Sequence, residues 1–359
     1  MKETTPFRKK YNKYTDDEEQ QQHHQQRDVA DTSDDYYYED EEYTIGQTTK
    51  YVLWTLLAFL TLGMLYFFTV FLPDYFIPEA TTLVKIRNIS DLQVSLIPDA
   101  SHPTKKPISR LILIGDIHGH YIELRKLLSK VKYNKQKDHV VVLGDFITKG
   151  PDSFKVLDFL IDNEADCVLG NHEYYVLQYY ATFHGLDQPE FMYNSPATSP
   201  VSTSGSFNDD PEFILAKKLT PRYVKYINEC SIMKRVGAVP GGLDGVAVHA
   251  GLRPDLTLAE QNPAENLEMR SLIGPYFNES TSDPATPGAK SWSKIYDSKN
   301  GEAPADHVVY YGHDAGRGLK LKKYTKGLDS GCDKGGKLSA MVISKLGKKV
   351  VEEVVQINC

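Results

Sequence analysis

At 359 residues the chain has room for one large catalytic domain, or two small ones, together with appendages. A net charge of −7 and the lack of any dense basic stretch exclude a nucleic-acid-binding footprint, so no nucleic-acid partner is expected. The 4 cysteines (Cys167, Cys230, Cys332, Cys359) show no paired spacing and suggest neither a disulfide framework nor a thiolate zinc site.

Residues 1–50 are rich in Gln, Asp, Glu and Tyr, with too few aliphatic side chains to bury a core, and read as a disordered acidic tail. His23 and His24 within it read as a solvated low-complexity pair. Tyr51 to Leu72, "YVLWTLLAFLTLGMLYFFTVFL", carries no charge over 22 residues. As a helix rising about 1.5 Å per residue it reaches roughly 33 Å, enough to cross a bilayer. It is apolar all round, unlike a domain helix, and too long and too far into the chain for a cleaved signal peptide; it reads as a single transmembrane signal anchor spanning 51–72. Lys2, Arg8, Lys9, Lys10, Lys13 and Lys50 precede it and Lys85 and Arg87 follow, a bias that favours a cytosolic N-terminus and a lumenal catalytic domain. Two N-x-S sequons, at Asn88 and Asn278, lie on the lumenal side as glycosylation candidates.

Residues 73–107, with "PDYFIP" and "PDASHPTKKP", read as a stalk, and the domain proper is expected over 108–359. There "LILIGD", "HVVVLGD" and "DCVLGN" are short apolar runs suited to strands buried on both faces, separated by the helical patterns "YIELRKLLSKV" and "SFKVLDFLID". This alternation predicts an α/β fold built of βαβ units with a parallel sheet. Two further runs, "GVAVHAG" and "HVVYYGHD", follow, and the Ser/Pro-rich "NSPATSPVSTSGSFNDDP" is expected to be a mobile excursion.

Each of the five runs ends in a candidate metal ligand: Asp116 and His118, Asp145, Asn171 and His172, His249, and His313. In an α/β sheet the carboxyl ends of the strands lie along one edge, so residues from Asp116 to His313 would converge there. Singly, an Asp after a strand is usually a cap, and a lone His is usually a hydrogen-bonded surface or core residue; His102, His120, His139, His184 and His307 are read that way. Five such ends, each beside a glycine, point instead to a metal centre. The nitrogen and oxygen donors suit Zn, Mn, Fe or Co. Seven residues are too many for one ion and natural for two, which a carboxylate can bridge at about 3.5–4 Å.

The order GDxHG, GD, GNHE, H-A-G and G-H resembles the motif set of the calcineurin-like metallophosphoesterases, over roughly residues 108–345. The resemblance implies their βαβ sandwich, with a dinuclear site at the strand C-termini. Asp116, His118 and Asp145 would hold the first metal; Asp145 would bridge, and Asn171, His249 and His313 would complete the second. His172 would be the general acid. Ser/Thr protein phosphatases carry GDxxDRG at the second motif, where the later Asp orients the catalytic His and the Arg grips phosphate; here "GDFITKG" has Thr148 and Lys149 at those places. That departure, and "GLDSGCDKGGKLSAMV" near the C-terminus, is similar to the diadenosine tetraphosphatase-like (ApaH-like) branch. Lys149 and Arg270, and less directly Arg253, are candidates for gripping substrate phosphates.

With its tail and anchor the chain resembles fungal membrane-anchored ApaH-like phosphatases, which act in the vacuole as zinc-dependent endopolyphosphatases. The expectation that follows is hydrolysis of internal phosphoanhydride bonds of polyphosphate at two divalent ions, zinc with Co or Mn as alternatives, by an enzyme of the vacuole membrane. A phosphoprotein phosphatase, a dinucleoside polyphosphate hydrolase and a non-catalytic membrane-anchored binding module are the alternatives. Proton competition for His118, His249 and His313, whose free pKa is about 6.5, predicts activity falling below about pH 6 unless metal binding depresses those values.

Overall fold

The computed structural model describes residues 44–72, 77–97, 105–192, 210–302 and 307–359. The tail up to residue 43 with His23 and His24, His102, and nearly all of the Ser/Pro-rich excursion lie outside the described residues. The chain divides into two units, Met1–Tyr66 and Phe67–Cys359.

In the first unit α1 (Gln47–Tyr66) begins at Gln47 rather than Tyr51, and buries none of its side chains. The helix runs on through a π-helical turn, Phe67–Phe71, and together they are long and apolar enough to cross a membrane. The hydroxyls of Thr55 and Thr61 donate to the helix's own carbonyls of Tyr51 and Ala58, which satisfies them without water.

The second unit is a sandwich of two mixed sheets with helices outside. The first sheet contains β2 (Arg110–Ile114), β3 (Asp138–Val142), β4 (Asp166–Cys167), β10 (Lys337–Leu346) and β11 (Lys349–Asn358), in the order β11-β10-β2-β3-β4. The second has the order β1-β5-β6-β7-β9-β8, with β1 (Ile89–Asp91), β5 (Met233–Ala238), β6 (Asp244–Val248), β7 (His307–Tyr311), β8 (Lys320–Leu321) and β9 (Thr325–Gly327). Leu111, Leu113, Val141, Leu143, Met341 and Ile343 of the first sheet face Val236, Ala247, Val308 and Tyr310 of the second between the sheets. Their neighbours Ile112, Ile114, Val140 and Val142 turn to the outer face, against α2 (Tyr121–Lys130) and α3 (Ser153–Asp162). Burial on both faces is why these strands read as unbroken apolar runs.

The parallel pairing expected from the sequence holds at β2–β3–β4 and β6–β7–β9, whereas β10 and β11 form an antiparallel hairpin that caps the first sheet through β2. A tight turn at Gly347 (φ 62°) joins the hairpin, which needs no crossover helix. The stalk reading of 73–107 is also corrected. β1 pairs with β5, Val94–Ser95 pairs with Lys106–Pro107, and Ile86, Leu92 and Leu96 are buried. The Asn228 side chain bonds both the N–H and the carbonyl of Val84, fastening this segment to the domain. Around β1 its apolar residues Ile86, Ile89 and Leu92 stand three apart and do not read as a strand, although Leu92, Val94 and Leu96 beyond it alternate as a strand does.

The expectation of no disulfides is overturned. Cys167 at the end of β4 bonds Cys230, and Cys332 bonds Cys359, leaving none free. The partners are 63 and 27 residues apart, so the fold and not local spacing brings them together. Loop-closure entropy puts the longer bridge at about 4 kcal/mol and the shorter at about 3.5 kcal/mol. Replacing both Cys167 and Cys230 by Ala is therefore expected to lower the melting temperature on the order of 10 °C, read by circular dichroism.

Candidate active site

The carboxyl ends of strands from both sheets deliver the motif residues to one cleft. Asp116 follows β2, Asp145 follows β3, Asn171 and His172 open α4 (Asn171–His184) after β4, His249 follows β6, and His313 follows β7. The cleft encloses about 90 Å³ and is lined by Asp116, His118, Asp145, Lys149, Asn171, His172, Arg270, Ala315, His313, Asp329, Gly331, Asp333 and Lys334. His249 lies beneath it, 0 % exposed. The backbone is held in the left-handed region at His118 (φ 47°), Asp145 (φ 48°) and His313 (φ 66°), a cost that clusters where side-chain aim matters. Two motif glycines are required by close approach. A Cβ on Gly170 would come within 2.3 Å of Asp145 Oδ1, and one on Gly312 within 2.1 Å of Asp116 Oδ1.

Asp145 belongs to both ligand groups: His118, Asp145 and His172 on one side, and Asp145, His249 and His313 on the other. Each of the three candidate ligand histidines turns one nitrogen to a backbone carbonyl. His249 Nδ1 meets the Leu143 oxygen at 2.8 Å, His313 Nε2 that of Glu268 at 3.1 Å, and His118 Nδ1 that of Ile147 at 3.4 Å. Donation there fixes the tautomer and leaves the other nitrogen as a lone pair. His249 Nε2 then faces Asn171 Oδ1 at 3.0 Å, His313 Nδ1 at 3.1 Å and Asp145 Oδ1 at 3.3 Å. Acceptors converging with no proton to share fit a divalent cation. Across Asp145, His118 Nε2 lies 3.7 Å from Asp145 Oδ2 and 4.0 Å from Asp116 Oδ2. Lys149 Nζ stands 3.1 Å from the same His118 nitrogen.

The electrostatics favour a cation as well. Burial, followed by the charges of Asp329 and Asp145, pushes the Asp116 carboxyl well above its ordinary range. Burial works the same way on Asp145, but His249, His172 and His118 overcome it and hold that carboxyl well below the usual range. Burial lowers His118 to about 4, with Asp145 opposing and Lys149 and His172 assisting. Burial, then His249 and Arg270, keep His313 well below its ordinary value. His249 moves the other way: despite burial, Asp145 raises it.

Protons displace a metal only from a ligand atom they would occupy, so affinity falls about tenfold per pH unit below each ligand's metal-free pKa. On acidification the His249 side should therefore weaken through His249, whose value is raised, and the other side through the raised Asp116 carboxyl before His118 takes a proton at about 4. Counting bound metal after dialysis at stepped pH checks this, and retention of both ions down to about 4 would contradict it.

His172 is partly exposed. Its Nδ1 bonds Glu212, its Nε2 lies 3.8 Å from Asp145 Oδ2, and its backbone N–H donates to Asp145 Oδ1 at 3.2 Å. Burial opposes its protonation, but Asp145 and Glu212 outweigh burial and raise its pKa. Arg270 reaches the cleft, with Nη2 3.4 Å from the His313 carbonyl. Arg253 does not. It pairs with Asp255 at 2.6 Å and lines a separate cavity of about 350 Å³ with Arg235 and His307. Asn278 is exposed, whereas Asn88 is 5 % exposed, which leaves no room for a glycan. Sequence reasoning missed Glu212, which follows the Ser/Pro-rich segment with no motif around it, and assigned no role to Glu173. Asp329, Asp333 and Lys334 stand in the C-terminal signature, and their proximity to that motif was the signal available.

A family model described as calcineurin-like phosphoesterase matches residues 109–317. The chain belongs to the calcineurin-like phosphoesterases. This phosphoesterase is 28% identical over 305 residues to the zinc-dependent endopolyphosphatase of Saccharomyces cerevisiae, an alignment covering 80% of this chain and 88% of the relative. It is 48% identical over 71 residues to the symmetrical bis(5'-nucleosyl)-tetraphosphatase of Photorhabdus laumondii, 19% of this chain and 26% of that one. A solved structure provisionally described as a diadenosine tetraphosphatase superposes with a TM-score of 0.56 at 26% identity, covering 76% of this chain and 97% of the other. The protein is thus a metal-dependent hydrolase with a dinuclear site. Two ions bound there supply an activated water and neutralise phosphate charge.

Proposed function

We propose that this phosphoesterase hydrolyses internal phosphoanhydride bonds of inorganic polyphosphate. The observation that carries the reading is the composition of the cleft: among its described lining residues only Ala315 is apolar beyond glycine, while Lys149, Arg270 and Lys334 are cationic. A nucleotide site needs an apolar or aromatic shelf for the base, whereas a bare phosphate chain needs charge. The yeast relative's name points the same way.

In this reading Asp116, His118 and Asp145 hold one ion, Asp145, Asn171, His249 and His313 hold the other, and zinc is the ion. Lys149 and Arg270 grip phosphates flanking the scissile bond. Water oxygen adds to phosphorus in line, the bridging P–O bond breaks towards the leaving phosphate, and His172 delivers the proton from Nε2.

We place the catalytic domain on the lumenal side of the vacuole membrane, anchored by the helix at Gln47–Phe71 with the tail cytosolic. Pairing of all 4 cysteines supports an oxidising compartment. Asn278 remains the glycosylation candidate.

The test gives the full-length chain in detergent, and its His172→Ala variant, long-chain polyphosphate or diadenosine tetraphosphate with zinc. Metal-dependent shortening through intermediate lengths, lost in the variant, is expected. Cleavage of the dinucleotide alone would overturn the reading in favour of the activity named for the bacterial relative.

A further inference from the structure

We propose that Glu212 is the residue that positions His172, taking over from a different element of the fold the task that an Asp in the second motif performs in the Ser/Thr protein phosphatases. The inference rests on the reading of His172 as the general acid. Thr148 occupies the place of that Asp, and its hydroxyl is buried without a hydrogen-bond partner, so it does not serve the imidazole. Glu212 instead bonds His172 Nδ1 from 40 residues along the chain.

The carboxylate is itself built in. It is 8 % exposed and sits in the first turn of α5 (Pro211–Ala216). The N-cap Asp210 accepts the N–H groups of Glu212 at 2.9 Å and Phe213 at 3.1 Å. Asp210 also accepts the Tyr179 hydroxyl at 2.9 Å, and the Tyr179 and Phe213 rings meet edge to face at 5.5 Å. Tyr179 lies on α4, the helix whose first residues are Asn171 and His172. One helix therefore carries both the imidazole and the anchor for the carboxylate that aims it.

Two consequences follow from the bond. Donation from Nδ1 to Glu212 fixes the ring so that Nε2 faces the cleft, and the negative charge stabilises the imidazolium until the proton leaves. Removing the carboxylate should therefore harm reactions in proportion to how much their leaving group needs that proton.

The experiment compares phenyl phosphate, whose leaving group is basic, with p-nitrophenyl phosphate, whose leaving group departs with little protonation. The full-length metal-loaded chain is used. General acids contribute about 10²–10⁴-fold. Glu212→Ala is expected to lower kcat on phenyl phosphate about 10²-fold and on the nitrophenyl ester less than about tenfold, with KM unchanged. The isosteric Glu212→Gln should fall between, because its amide oxygen still accepts from Nδ1 without the charge. His172→Ala should show the same split, and Glu212→Ala added to it should cost nothing more. Melting temperature and bound metal are followed in each variant, and Glu212→Gln keeps the test informative where Glu212→Ala unfolds.

A uniform loss on both esters, no loss at all, or losses that add to those of His172→Ala would overturn the proposal. A split in His172→Ala that neither Glu212 variant shares would overturn it alone. Absence of a split in His172→Ala would overturn the general-acid reading and this inference with it.

Discussion

Asp145→Asn is expected to release both metal ions and to reduce turnover at least about 10³-fold, since metal assistance is worth several kcal/mol and each 1.4 kcal/mol is tenfold. Its two oxygens divide between the ligand groups, with Oδ1 3.3 Å from His249 Nε2 and Oδ2 3.7 Å from His118 Nε2. The substitution removes the charge and turns one of those oxygens into a donor, while leaving the size of the side chain unchanged. One group loses its oxygen outright and the other keeps a neutral amide oxygen in place of a carboxylate, so both ions are weakened together. His118→Ala and His249→Ala separate the two sides, each being expected to remove one ion. Metal content after dialysis, set beside turnover of an aryl phosphate, checks the series. Two ions retained by Asp145→Asn would refute a shared ligand.

The cleft was legible because the candidate ligands that meet in it stand at the ends of strands buried on both faces. Val140 and Val142 face one layer and Val141 and Leu143 the other, so the run preceding Asp145 has no polar interruption to hide it. The helices α2 and α3 were legible from their patterns within a residue of their observed bounds. What escaped was set by contacts distant in sequence. The bridge from Cys167 to Cys230 and the bond from His172 to Glu212 depend on how α4, α5 and the segment after them return to the first sheet. Arg253 and Arg270 could not be told apart for a similar reason. Arg253 follows a strand and Arg270 a short helix, and only the fold turns Arg253 towards Asp255 and Glu265 while Arg270 reaches the His313 carbonyl. β1 escaped because Ile86, Ile89 and Leu92 are too sparse to suggest a strand until β5 is there to pair with it.

Glu173→Ala is expected to destabilise the domain by at least about 4 kcal/mol, because each buried donor left unsatisfied costs about 1–3 kcal/mol. This last residue of GNHE is 0 % exposed. Its carboxylate accepts the N–H groups of Asp145 at 2.7 Å, Phe146 at 2.9 Å, Ile147 at 3.1 Å and Gly170 at 3.0 Å. Burial and the charge of Asp145 raise its pKa to about 7, against which the backbone donors of Ile147 and Asp145 act. The same donors belong to the turn that holds Asp145 at φ 48°, a conformation the chain does not adopt unaided. Loss of the carboxylate should therefore release that turn as well as weaken the fold, and metal binding should suffer with it. Glu173→Gln separates the two effects. Its amide fills the space, but its NH₂ opposes at least one of the backbone donors, so a smaller loss of about 2 kcal/mol is expected. Denaturant unfolding gives the stability, and metal content at a temperature where the variant is folded gives the aim of Asp145. Wild-type metal content and turnover in Glu173→Gln would mean that the turn is held by the sheet beneath it rather than by this carboxylate.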